Sequence, residues 1–132
     1  MCLDMIDKKT ITNITHGHKV FRIIDGMILG EYYNPDGTYS HEIPVPYQTG
    51  KWYRAGDYII DEDERDLAYP AGFHVFLYKE DAEAWRDVHT STNFKVLRVQ
   101  ISEIVASGYQ YFRGKKRAVI VSKRMRIIKE DL

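Results

Sequence analysis

Cysteine is almost missing from this chain of 132 residues: there is one, Cys2, with no internal partner. A disulfide framework is thereby excluded, and the fold has to be held by packing alone. Uninterrupted hydrophobic runs are missing too. No stretch approaches the roughly 18 apolar residues of a membrane span, and no signal-peptide core is visible. These two absences give the expectation of a cytoplasmic protein with no membrane partner. Proline is scarce, at four residues, and two of them, Pro44 and Pro46, restrict one segment to a sheet edge or to extended chain. Net charge is the last thing lacking. With 19 Lys and Arg against 19 Asp and Glu, the chain has no overall basic excess, which makes nucleic acid a less expected partner than a smaller anion.

What is present suits one domain spanning residues 1–132. A chain of 15.5 kDa buries about two-thirds of its unfolded surface on folding, enough for a single core without staples. No repeat, low-complexity tract or linker divides it. The zero net charge hides a strong polarity. Residues 1–90 carry 9 Lys and Arg against 16 Asp and Glu, and residues 91–132 carry 10 against 3. The halves are therefore −7 and +7. Such a layout fits two segments that neutralise each other inside one fold, an anion-binding face, or head-to-tail self-association into a homo-oligomer.

Strand signals dominate. His18 to Ile24 and Met27 to Tyr33 flank Asp25-Gly26, a pair suited to a type I′ hairpin turn. Tyr39 to Val45 follows the Asn34-Pro35-Asp36-Gly37 turn, and a further short strand is expected within residues 51–60. The run Asp61-Glu62-Asp63-Glu64-Arg65-Asp66 reads as a solvated loop closed by a turn at Tyr69-Pro70. Phe73 to Tyr78 and Phe94 to Ile101 read as strands. Tyr109 to Arg113 and Ala118 to Ser122 bracket Gly114-Lys115-Lys116-Arg117 as a second hairpin, and Met125 to Ile128 is a final strand. One helix is expected over Lys79 to His89, with Ala82, Trp85 and Val88 or His89 forming its apolar stripe. The predicted fold class is α+β: a mainly antiparallel, twisted sheet with one principal helix packed on it through Trp85.

Several residues have the chemistry of a site. Tyr69-Pro70-Ala71-Gly72-Phe73-His74 runs into a strand and then a helix start, placing Phe73 and His74 beside N–H groups that favour an anion. The segment Arg113-Gly114-Lys115-Lys116-Arg117, preceded by Tyr109, Tyr111 and Phe112 and followed by Lys123-Arg124-Met125-Arg126, mixes cations with rings. The expected ligand-binding set is Phe73, His74, Arg98, Arg113, Lys115, Lys116 and Arg117, the cations supplying charge and the rings stacking. The same lysines also suit an ordinary soluble sheet edge. His16-Gly17-His18 puts two imidazoles on one strand face, but no companion Cys or carboxylate stands at ligand spacing, so no metal and no cofactor are expected. The ten tyrosines, in clusters at Tyr32-Tyr33, Tyr39, Tyr47, Trp52-Tyr53 and Tyr58, fit either a recognition surface or a half-wet sheet.

Two resemblances add to this reading. Lys19-Val20-Phe21-Arg22, Gly50-Lys51-Trp52-Tyr53, Gly72-Phe73-His74-Val75-Phe76 with Glu80-Asp81-Ala82, and Ala118-Val119-Ile120-Val121 before Met125-Arg126-Ile127-Ile128 look like small uncharacterised proteins of tailed phages and gut bacteria. That resemblance implies no assigned activity; it implies a binding role in host cytoplasm, such as sequestering a nucleotide signal or blocking a defence effector. Gly72 to Phe76 with Asp81-Ala82 is also similar to a segment of ADP-ribosyltransferases. This second resemblance implies an NAD-processing enzyme with Arg22 or His18, His74 and Glu103 in its pocket, although the Ser-Thr-Ser strand and the paired Glu-x-Glu of that family are absent.

Overall fold

Two tight turns fix the register of the sheet. At Asp25-Gly26 both residues take positive φ, 50° and 76°, and at Arg113-Gly114 the values are 49° and 71°, as type I′ hairpins require. The computed structural model of the protein describes residues 3–31, 46–57, 59–62, 67–89 and 92–128. Within them run β1 (Met5–Ile6), β2 (His16–Ile24), β3 (Met27–Leu29), β4 (Trp52–Arg54), β5 (Ile59–Glu62), β6 (Leu67–Pro70), β7 (Phe73–Phe76), α1 (Lys79–Arg86), β8 (Phe94–Phe112) and β9 (Lys115–Ile127). The architecture is a mostly antiparallel seven-stranded sheet, a separate β5–β6 hairpin and one short helix.

The strand pairings close on themselves. β8 pairs β2 over Phe94 to Gln100, β2 meets β7 at His18 and Phe76, β7 pairs β9 from Phe73 with Ser122 to Phe76 with Val119, and β9 returns to β8. A small barrel results, and every strand of the ring contributes to its filling. Phe21, Phe73, Val75, Leu97, Val99, Ile101, Ile120, Met125 and Ile127 form one buried cluster, completed by Ile28 and Tyr47. The seam between β2 and β7 has a single residue pair in register. Across it the buried Lys19 Nζ donates to the His74 carbonyl at 2.9 Å, so a side chain supplies a bond that the ladder there lacks.

A second apolar layer lies on the other side of β7. Phe76, Val119, Val121 and Ala106 are buried with Leu3, Tyr69 of β6 and Ala82 of α1, and Trp85 and Phe112 pack against them. The helix starts at Tyr78 with no side-chain cap, so its position depends on this contact more than on its own ends. Trp85 meets Phe112 edge-on at 5.0 Å and Phe76 at 6.5 Å. Gly108 allows β1 to reach the ribbon, because a Cβ there would lie 1.8 Å from the Met5 carbonyl oxygen.

Several expectations need correction. The segments 94–101 and 109–113, apart from Arg113, belong to one strand of 19 residues, and 118–122 and 125–128, apart from Ile128, merge into one of 13. The interruption in their alternation is a kink, not a loop. Glu103 takes φ 59°, the register shifts between Ile104 and Ala106, and Ser122 Oγ donates to the Arg124 carbonyl at 3.2 Å on the facing strand. A bulge of this kind lets a long ribbon change which side faces a core. Lys115, Lys116 and Arg117 belong to β9, the hairpin turn being only Arg113-Gly114. Asp61 and Glu62 lie in β5, and Tyr69-Pro70 lies in β6 rather than in a turn. The helix ends at Arg86, and the Val88 and His89 N–H groups close four-residue turns onto the Trp85 and Arg86 carbonyls. Its stripe uses His89, since Val88 is exposed. The expected strand 39–45, the turn at 34–37, residues 63–66, and Tyr32, Tyr33, Tyr39 and Tyr58 lie outside the described residues.

Candidate anion-binding face

Alternation on β8 and β9 decides which cations face outward. Leu97, Val99 and Ile101 point into the barrel, as do Met125 and Ile127, so Arg98, Gln100, Arg124 and Arg126 stand on the outside. Register then assembles them into rows. Trp52 on β4 faces Arg126, Arg126 faces Gln100, and Gln100 faces His16 on β2. The row therefore crosses four strands. Beside it Arg54 faces Arg124, which faces Ser102, and on the other side Arg98 faces His18.

Within this face two guanidinium groups lie over the indole of Trp52, Arg124 at 5.0 Å and Arg126 at 4.9 Å from the ring centre. Arg126 Nη2 also donates to Gln100 Oε1. Such contacts orient cations without neutralising them. The nearby carboxylates are used elsewhere. Arg54 takes Glu103 and Asp57, each at 3.0 Å, and Asp57 also lies 3.6 Å from Lys123. Among the described residues Arg98, Arg124 and Arg126 pair with no carboxylate. The face can therefore accept negative charge, and its planar forks suit phosphate oxygens.

The seven expected site residues do not share one surface. Phe73 is 6% exposed and fills the barrel. His74 is buried on the opposite side of β7, its Nε2 2.9 Å from the Tyr69 hydroxyl, which also accepts the Leu3 N–H at 3.0 Å. Arg117 is buried under the helix, with Nη1 donating to Asp81 at 2.8 Å and its guanidinium 4.5 Å from the Phe112 ring centre. Arg113 donates to the Asp87 carbonyl at the helix end. Lys115 and Lys116 are exposed near the hairpin tip, with Lys116 over Tyr109 at 3.9 Å. Arg98 alone joins the rows described above. Sequence reasoning left Trp52, Arg124, Arg126, Gln100 and His16 out of the set. The alternation of Arg124, Met125, Arg126 and Ile127 carried the signal for the two arginines, whereas the placing of Trp52 beside them depends on pairing between distant strands.

Of the expected enzymatic trio, Glu103 accepts from Arg54 and His74 faces Tyr69, and Arg22 lies at the end of β2 opposite Leu29 and Phe94. A different acid–histidine pair exists. The buried Glu31 carboxylate accepts from Trp85 Nε1 and lies 2.8 Å from His89 Nε2, and His89 stacks on Phe94 with ring centres 4.0 Å apart. These bonds tie the end of α1 to the residues following β3. Tyr47 and Tyr53 serve packing, meeting edge-on at 4.9 Å. Among the described residues no three His, Cys, Asp or Glu side chains converge as metal ligands, and no helix is long and apolar enough to cross a membrane. A small antiparallel barrel carrying a cationic, tryptophan-bearing outer face is the class of molecule that results. No protein family, curated protein or solved structure matches the chain.

Proposed function

We propose that the chain is a single-domain α+β binding protein, non-enzymatic, that holds a phosphate-bearing, nucleotide-like anion on the face formed by Arg98, Arg124, Arg126 and Trp52. The observation that carries this reading is a contrast in charge compensation. Arg54, Arg117 and Lys123 each lie within 4 Å of a carboxylate, whereas the three arginines of the outer face have none among the described residues. Guanidinium groups kept at a surface beside an aromatic ring favour an incoming anion, because the bonds formed are charge-assisted and the ring offers a stacking plane. Sequestering a nucleotide signal, the role implied by the resemblance to small phage proteins, would need no more chemistry than this.

The test is calorimetric titration of the protein with pyrophosphate, ADP and ADP-ribose, repeated on Arg124→Gln/Arg126→Gln. Binding of at least one probe, weakened tenfold or more in the variant with an unchanged melting temperature, is the expected result. Failure of all three probes to bind the parent protein, or equal affinity in the variant, would remove this face from the function.

A further inference from the structure

The same face carries an inference about the shape of its ligand, one that rests on the anion-binding reading. Its polar groups are spread out. From Trp52 to His16 the row crosses three inter-strand spacings, about 14 Å, and the flanking rows with Arg98 and Arg124 lie one pleat repeat, about 6.7 Å, to either side. Compact phosphate clusters are usually held by convergent donors, such as a nest of backbone N–H groups or a helix N-terminus. Here Arg124 and Arg126 meet over Trp52, whereas Arg98 stands two pleat repeats, about 13 Å, along the strands from the Arg124 row. A ligand that uses them together must carry its charges at intervals along a chain.

Trp52 narrows the choice further. A duplex is read by an element that enters a groove, and its bases are already stacked on each other. A ring standing on a sheet surface gains little from such a ligand. Unpaired bases, by contrast, stack on aromatic rings and on guanidinium planes with little regard to sequence, and the half-buried Trp52 with Arg124 and Arg126 over it offers both. Gln100 faces Arg126, Ser102 faces Arg124 and His16 ends the first row, and all three carry hydrogen-bonding groups.

We infer that the ligand is single-stranded nucleic acid, with one base on Trp52 and its phosphates crossing β9 and β8 over Arg126, Arg124 and Arg98. The zero net charge of the whole chain does not oppose this. Glu31 and Asp81 are engaged away from this face and Asp57 and Glu103 with Arg54, so the face itself is locally positive although the chain as a whole is neutral.

The experiment is fluorescence anisotropy with labelled 12-mers of oligo(dT) and oligo(rU), a 12-base-pair duplex, and unlabelled ADP as competitor, in low and moderate salt. A single strand should bind at least tenfold more tightly than the duplex and than ADP. Trp52→Leu, which keeps apolar bulk but removes the ring, should weaken it by tenfold or more, with partial recovery in Trp52→Phe. Arg124→Gln/Arg126→Gln should lower the salt slope by about 1.4, the value for two phosphate contacts on a single strand. Equal or tighter binding of the duplex or of ADP, or an unchanged affinity in Trp52→Leu, would overturn the single-strand inference while leaving the anion site in place. Absence of binding to every probe would overturn both.

Discussion

Strand β9 carries arginines in two regions that have opposite fates. Arg117, near its start, is 8% exposed, bonded to Asp81 and laid on Phe112 beneath the helix. Arg124 and Arg126, near its end, lie on the outside of the barrel against Trp52, with no carboxylate partner among the described residues. In the first region a carboxylate of the acidic half neutralises an arginine of the basic half. The second is where the basic half is left over. What separates them is the strand's relation to its neighbours: Asp81 of α1 supplies a carboxylate to one stretch of β9, and β4 pairs with the other and supplies a ring. Identical side chains thus become a structural element in one place and stand without a carboxylate partner among the described residues in the other.

That contrast is open to direct attack. The largest effect is expected at the buried pair, where Arg117→Met leaves the Asp81 carboxylate enclosed without its counter-charge and should cost about 3–5 kcal/mol in denaturant unfolding. Pairing it with Asp81→Leu should recover much of that loss, since replacing both partners by apolar groups is often near neutral. A double variant no more stable than Arg117→Met would contradict this account of the pair. Lys19→Met comes next. It strands the His74 carbonyl at the thinnest seam of the ring and should cost about 1–3 kcal/mol; faster amide exchange in β7 should accompany it.

Smaller still is the expected effect of Gly108→Ala, which forces β1 away from the ribbon. Its added methyl group would sit against the Met5 carbonyl, and a loss of about 1–3 kcal/mol with new proteolytic sensitivity confined to residues before β2 is the outcome to look for. At the bottom of the scale, Arg124→Gln and Arg126→Gln should each change stability by less than about 0.5 kcal/mol. A loss comparable to that of Arg117→Met would mean that the outer arginines hold the fold and are not reserved for a ligand.

How much of this was legible in the chain follows the same division between local and distant causes. Asp25-Gly26 announced its hairpin because turn chemistry is written in adjacent residues. Trp85 was legible as the helix anchor from its spacing with Ala82. The kink at Glu103 was not, since a bulge interrupts the alternation just as a loop does, and the chain there was read as a break between strands. Ring closure was also hidden: β2 and β7 share one residue pair, and no periodicity reports such a contact. Phe73 and His74 drew attention as a ring and an imidazole at a strand–helix junction, but both faces of β7 are covered, which turns each into packing. Arg117 looked like its neighbours in a basic run, and only the helix above it sets it apart. Arg98 was correctly placed on a strand, yet its companions Arg126 and Trp52 come together through register between elements far apart in sequence.

The chain has two tryptophans, one in each region, and their indole N–H signals report on both at once. In a two-dimensional proton–nitrogen NMR titration with the oligo(dT) 12-mer, the Trp52 indole signal should shift progressively while that of Trp85, held by Glu31 within the packed helix contact, stays in place. Movement of the Trp85 signal with Trp52 unmoved would put the binding surface elsewhere and contradict the account.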